Sequence, residues 1–267
     1  MHHQIDAIAY TNRLRYLPSE HKLTFAATLF CLSLAAPPLL QILITIWVTI
    51  WVVIYAKIPL GIYLKLQAIP FSFWLTSIPA LLLGVVNSAN LELIKTDIIW
   101  GFNLGDILIY FSNQGMQQAG FLLTRSLVLT SCMYFILLTT PLVEIIRIFR
   151  KIGCPSLITE LLMLMYRFIF MLTETASQLL IAQQVRIGYG DWKTTIRSLG
   201  IVTSQLLQQT LENYRQICLG LTARGFNGEL RVWSVYRHQP NPRYTWEGCC
   251  GCLLLLVSIG WFYVLGI

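Results

Sequence analysis

Charge is what this chain has least of. Across 267 residues, 12% are charged and 56% hydrophobic, with a mean hydropathy of +0.64. An ordinary soluble domain carries about a quarter charged residues, so the composition excludes one and places the chain in a bilayer. There is no Gly-x-x-x-x-Gly-Lys-Ser/Thr stretch to cradle a nucleotide phosphate, so any ATP hydrolysis falls to a partner. His-Glu-x-x-His is lacking too, and the adjacent His2 and His3 have no further ligands beside them. No metal or cofactor site is assigned. The seven cysteines are an odd set, Cys31, Cys132, Cys154, Cys218, Cys249, Cys250 and Cys252, mostly in apolar or helix-patterned sequence, which argues against a disulfide framework. Cys249, Cys250 and Cys252 open the last apolar run, where small apolar packing is the expectation and reversible acylation a distant second. No cationic segment leads directly into an apolar core and a cleavage site, so no removable signal peptide is expected.

What the chain does have is long apolar runs with basic flanks. The net charge of +7 needs no nucleic acid to explain it, because Lys and Arg accumulate in the cytoplasmic segments of membrane proteins. A polar arm with Arg13, Arg15 and His21 precedes the first run, and spans are expected at 23–36 and 39–56, separated by Pro37-Pro38. The first is short against the roughly 20 residues of a span, and is taken to borrow a turn from the arm. After a link bracketed by Lys57 and Lys65, a third span is expected at 66–86, with kinks at Pro70 and Pro79 or a slightly later start. Residues 87–119 carry Glu92, Asp97 and Asp106 against Lys95 and read as an outward-facing loop. A fourth span at 120–140 holds Arg125 near its outer end, where it can snorkel, so a structural role is the expectation.

From 142 to 245 the balance changes to twelve Lys/Arg against six Asp/Glu, the mark of a cytoplasmic region, and 246–267 contains the last span. The fold class expected is an all-α polytopic membrane protein with about five transmembrane helices and long cytoplasmic amphipathic helices. Residues 1–141 hold the arm and the first four spans. Within 142–245 three helices are expected, at 142–152, 156–186 and 195–224. The second starts apolar enough to be a sixth span. Glu160, Arg167 and Glu174 nevertheless recur at heptad spacing, so it is read as lying at the interface or on another helix, with Arg167 in an ion pair to either acid. The third repeats apolar residues from Ile196 to Leu221 at helical spacing, opposite a glutamine-rich face.

Two of these helices end alike. Ala223-Arg224-Gly225 closes the last one, and a stretched copy with Ala182, Arg186 and Gly188, interrupted by Ile187, closes the one before. A single Arg-Gly at a helix end is most simply a cap, since glycine reaches left-handed dihedrals and a cation suits the dipole's negative end. Two of them, each preceded by alanine, point further: a small residue allows close approach, and a guanidinium can pair bidentately with a carboxylate.

The chain resembles the transmembrane T component of energy-coupling factor (ECF) transporters, and within it the cobalt-type CbiQ family. The residues that carry the likeness are Asp6-Ala-Ile-Ala9-Tyr10-Thr-Asn12-Arg13-Leu14 with Pro18 and Lys22, then Thr139-Thr140-Pro141 and Pro155, Met165-Tyr166-Arg167-Phe168 before Glu174, and Ala223-Arg224-Gly225-Phe226. The resemblance covers nearly the whole chain and implies a non-catalytic scaffold. It implies docking of two ABC-type ATPase subunits on Ala182, Arg186, Gly188, Ala223, Arg224 and Gly225. It also implies a substrate-binding membrane subunit, with or without a small accessory membrane protein. That subunit would hold the cobalt ion, and the site would be the plasma (inner) membrane with the N-terminus and coupling helices cytoplasmic. Rival readings are an ECF scaffold for nickel, biotin or other vitamins, and, further off, a lipid-modifying membrane enzyme using Asp97, Asp106 or Glu144.

Overall fold

A computed structural model describes residues 8–87, 98–104, 107–186, 190–225 and 242–265. The chain forms two compact units, Met1–Leu142 with Tyr236–Ile267, and Val143–Val235.

In the first unit, a 3-10 turn at Arg13–Tyr16 leads into α1 (Ser19–Ala35). Pro37 and Pro38 end α1 and start α2 (Pro38–Ile50): Pro38 occupies the first helical turn, where its missing N–H costs nothing. A π-helical turn, Trp51–Tyr55, continues α2, and Lys57 takes a left-handed φ of 56° as the chain turns back. Next come α3 (Leu60–Leu82), three strands, α4 (Asn113–Thr139) and, after the second unit, α8 (Pro242–Leu265). Helix α4 is the hub, packing against α1, α2 and α3, while α8 lies on α1.

Helix α2 shows why these helices suit a bilayer. Leu40, Gln41, Ile44, Val48, Trp51 and Val52 are buried in a stripe at helical spacing, yet the opposite side carries exposed Leu39, Ile42, Leu43, Ile46, Ile50 and Ile54. A helix apolar all round belongs in lipid. Lipid supplies little hydrophobic drive between helices, so close packing and interhelical hydrogen bonds hold the bundle. The Gln41 amide donates to Ala36 O at 3.0 Å and to Ser33 O at 3.2 Å, and Thr124 donates to Gln41 Oε1 at 2.7 Å. Tyr63 donates to Ser131 Oγ at 3.1 Å, and Gln67 Nε2 reaches the same hydroxyl at 2.8 Å. These bonds join α2, α3 and α4.

Gly115, in the first turn of α4, sits so close to α3 that a Cβ there would collide with the carbonyl oxygen of Leu81. Backbone cannot swing aside as a side-chain tip can. Gly115→Ala is therefore expected to lower stability by about 1–3 kcal/mol, the usual cost of overpacking, read as thermal unfolding in detergent. An unchanged midpoint would contradict this close approach.

Several expectations need correcting. The stretch read as a loop holds strands β2 (Ile98–Leu104) and β3 (Ile107–Ser112), and the end of the third expected span forms β1 (Leu83–Asn87), all antiparallel with β3 in the middle; Leu83 pairs with Phe111, and Leu104 with Ile107. Runs such as Ile98-Ile-Trp100 and Ile107-Leu-Ile-Tyr-Phe111 have the β-branched and aromatic content strands favour, which the intervening acids and glycines obscured. Helix α3 begins at Leu60, so Lys65 lies inside it rather than in a link, and it ends at Leu82 with Pro70 and Pro79 within. Helix α4 starts seven residues before Gly120, and α8 before Gly248.

Among the described residues, four helices are long and apolar enough to cross a membrane: Pro38–Tyr55, Asn113–Thr139, Ser156–Val185 and Pro242–Phe262. The first, second and fourth fall where spans are expected. Expected spans at 23–36 and 66–86 fall in α1, which has 17 residues, and in α3, and neither is among the four.

The second unit has α5 (Leu142–Lys151), α6 (Ser156–Val185) and α7 (Trp192–Ala223), close to the bounds expected for them. Gly153, with φ 103°, ends α5, and Pro155 precedes α6. Helix α6 packs along α7. By length and composition α6 fits a span, although the heptad charges suggest an interfacial helix.

Candidate functional site

Both arginines stand at helix ends. Arg224 is the cap residue of α7: its N–H donates to Leu221 O at 3.1 Å, and Gly225, at φ +68°, donates to Thr222 O at 3.0 Å. Gly225 therefore performs the left-handed stop that glycine performs without strain. Space around it is open, so backbone conformation alone demands glycine. Arg186 is the cap residue of α6, with its N–H directed to Gln184 O, and Ala182 lies one turn before it. Ala182, Arg186, Ala223, Arg224 and Gly225 are all exposed; Gly188 and Phe226 lie outside the described residues. Among the described residues neither Arg186 nor Arg224 is ion-paired.

Spacing separates the tips. Arg186 precedes α7 by six residues and Arg224 ends it, and the 32 residues of that helix measure roughly 48 Å at 1.5 Å per residue. Arg186 lies within six residues of one end of that helix and Arg224 at the other, too far apart for a single pocket. Val185 and Trp192, each 79% exposed, lie one residue before and six residues after Arg186 in the chain. Sequence reasoning missed both, because exposure cannot be read from an apolar letter. Arginine and tryptophan are among the residues enriched at interface hot spots.

A second feature joins stretches far apart in the chain. The side chain of Asn12 donates to Ala9 O at 2.9 Å, to Leu138 O at 3.0 Å and to Thr139 O at 3.3 Å, and Lys22 Nζ donates to Thr139 O at 3.0 Å. Lys22 is 2% exposed. What reads as a solvated arm is packed against the end of α4. Asn12 Oδ1 and Thr140 Oγ1, both buried, find no partner among the described residues.

The matched region of a family profile takes in these features: the profile described as cobalt transport protein, CbiQ, matches residues 11–233. This chain belongs to the CbiQ family. It is 30% identical to an uncharacterized protein of Methanocaldococcus jannaschii over 246 residues, 91% of this chain and 87% of that one. To the cobalt transport protein CbiQ of Rhodobacter capsulatus it is 28% identical over 232 residues, 86% of this chain and 87% of the relative. A protein of Methanocorpusculum labreanum, named as a fused cobalt transport protein CbiMQ, is 28% identical over 85% of this chain, which spans 37% of it. CbiQ proteins are transport proteins, and with four apolar helices this family member is a membrane protein.

Other candidate residues of the CbiQ chain lie apart. Arg167 makes no ion pair with Glu160 or Glu174 among the described residues, and Glu160 Oε1 is buried without a partner. The reason is distance: seven residues rise about 10.5 Å along a helix, beyond direct pairing. Arg125 lies 5.7 Å from the ring centre of Phe121, a cation–π contact in keeping with a structural role. All seven cysteines are free. His21, Cys249 and Cys252 line one apolar cavity of about 290 Å³ with Phe25, Trp51 and Phe135, yet no group of three metal-ligating side chains forms among the described residues. Of the acids an enzyme would need, Glu144 is buried in α5, while Asp97 and Asp106 lie outside the described residues.

Proposed function

We propose that this chain is the scaffold of an ECF-type importer, coupling ATP hydrolysis by two partner ATPases to cobalt uptake through a substrate-binding membrane subunit. The observation that carries this reading is the pair of exposed arginine tips, unpaired among the described residues and held apart by a 32-residue helix. A guanidinium at each end suits two acidic grooves, one on each ATPase. A long helix is stiff, so closure of the ATPases would shift α6 and α7 as rods and tilt whatever packs on their apolar sides. Exposed Leu161, Met165 and Ile169 on α6, and Leu207 and Leu211 on α7, provide such sides.

In this reading Arg186, Arg224 and their neighbours dock the ATPases, the N-terminus and the tips are cytoplasmic, and the chain itself catalyses nothing. Its sequence contains no phosphate-binding loop. The relative that is named as a fusion of CbiM and CbiQ supports a CbiM-type membrane partner here. Affinity capture of the tagged chain from membranes of cells expressing the neighbouring genes is expected to bring down two nucleotide-binding subunits and a small membrane protein. The same cells should accumulate cobalt in an ATP-dependent manner. Capture without nucleotide-binding subunits would refute the scaffold role. Dependence on nickel or a vitamin in place of cobalt would reassign the substrate.

A further inference from the structure

The last turn of α4 is closed by residues more than a hundred positions upstream. A helix leaves its final carbonyls without intrahelical donors. Here Thr140 N–H answers Ile136 O at 2.9 Å, Asn12 Nδ2 answers Leu138 O and Thr139 O, and Lys22 Nζ also answers Thr139 O. The next residue is Pro141, which has no N–H to offer. An ammonium in this place also meets the negative end of the helix dipole. Both side chains are buried, Asn12 at 7% and Lys22 at 2% exposure, so water competes little for these carbonyls.

Position gives this closure its meaning. The chain leaves the first unit at Leu142, three residues beyond the end of α4. Helix α4 is also the hub that packs against α1, α2 and α3. A displacement arriving through the first of the two chain connections from the second unit therefore meets the bundle at α4's last turn. If that turn frays, the displacement is absorbed as local unwinding. If it is held, α4 moves as a rod.

We propose that Asn12 and Lys22 are positioning residues that clamp the exit of α4, so that movement of the docking helices is delivered to the membrane bundle. This rests on the importer reading above. Neither residue lies at the docking tips. Their part is to keep the joint stiff.

The test uses the complete complex with Asn12→Leu, which keeps the side-chain size and removes the donor, and with Lys22→Met and Lys22→Arg. Asn12→Leu is the cleaner change, because every hydrogen bond from Nδ2 goes to a backbone carbonyl. Asn12→Leu and Lys22→Met are expected to retain ATPase subunits at the wild-type level, to speed amide exchange at Thr139 and Thr140 at least tenfold, and to lower cobalt uptake per ATP hydrolysed at least fivefold. Lys22→Arg, with its donors restored, should recover most of both. Unchanged exchange, or unchanged uptake per ATP in an assembled complex, overturns the clamp. Should the variants fail to accumulate, the wild-type complex still decides: protection at Thr140 is expected to match that of Cys132 in mid-helix, and protection as low as at the ends of α6 and α7 overturns the proposal. A wild-type chain that retains no ATPase defeats the importer reading and this proposal with it, whereas normal assembly with unchanged coupling defeats the clamp alone.

Discussion

Reversing charge at both tips, Arg186→Glu with Arg224→Glu, is expected to strip the ATPase subunits from the chain during purification. Each arginine is exposed at the end of a helix and is not ion-paired among the described residues, so each is available to an acidic partner. Truncating one member of a desolvated interfacial charge pair costs about 2–5 kcal/mol, and each 1.4 kcal/mol is about tenfold in affinity. Replacing attraction with repulsion at two sites should therefore weaken capture by well over a hundredfold, while either single reversal leaves a measurable remnant. Arg215→Glu, on the exposed surface of α7 between the tips, provides the comparison and should change capture less than threefold. An intact complex from the double reversal would remove the tips from the docking surface. Because the five exposed positions from Ala182 to Gly225 contribute little to packing, fold stability should stay level across these variants.

The second large effect lies in the membrane bundle. Phe135 is 2% exposed, with its ring 5.7 Å from that of Phe25 and 6.5 Å from that of Trp51, and it forms part of the wall of the 290 Å³ cavity. In a bilayer the usual transfer gain largely cancels, because lipid is as apolar as the bundle interior. What Phe135→Ala loses is packing. At about 24 cal/mol per Å³ of unfilled cavity, a vacated ring of about 90 Å³ costs about 2 kcal/mol. The cavity already there should hinder relaxation, so the full loss is expected as a lowered unfolding midpoint in detergent. Phe73, 76% exposed on α3, is the control: Phe73→Ala should shift stability by about 0.5 kcal/mol or less. Equal losses at the two positions would show that Phe135 is not part of a packed core.

Much of this protein could be read from local pattern. Pro37-Pro38 marks the boundary of α1 and α2, Gly153 and Pro155 mark the boundary of α5 and α6, and Gly225 ends α7 with the left-handed backbone that an Arg-Gly ending implies. Each signal is carried by residues within a turn or two of the feature it specifies. Hydropathy likewise placed three of the four helices able to cross a membrane, because lipid contact is a property of a single helix. The same locality explains the failures. Residues 87–119 are rich in loop-forming and acidic residues between short apolar runs, and strand pairing such as Val85 with Ile109 depends on a partner more than twenty residues away. The ion pair expected for Arg167 fails because about two helical turns separate it from Glu160 and from Glu174.

By itself, then, the sequence determined a helical membrane chain without a Gly-x-x-x-x-Gly-Lys-Ser/Thr stretch and with two arginine-ended helices. Only the tertiary structure decided that Lys22, next to the first apolar run and on its face a solvated cation, is buried at the end of α4, and that Asn12 shares the task. The physical reason is that a helix end advertises its unmet carbonyls to whatever the fold brings near. Nothing in the pattern around Thr139 says which donors, 117 and 127 residues away, will answer them.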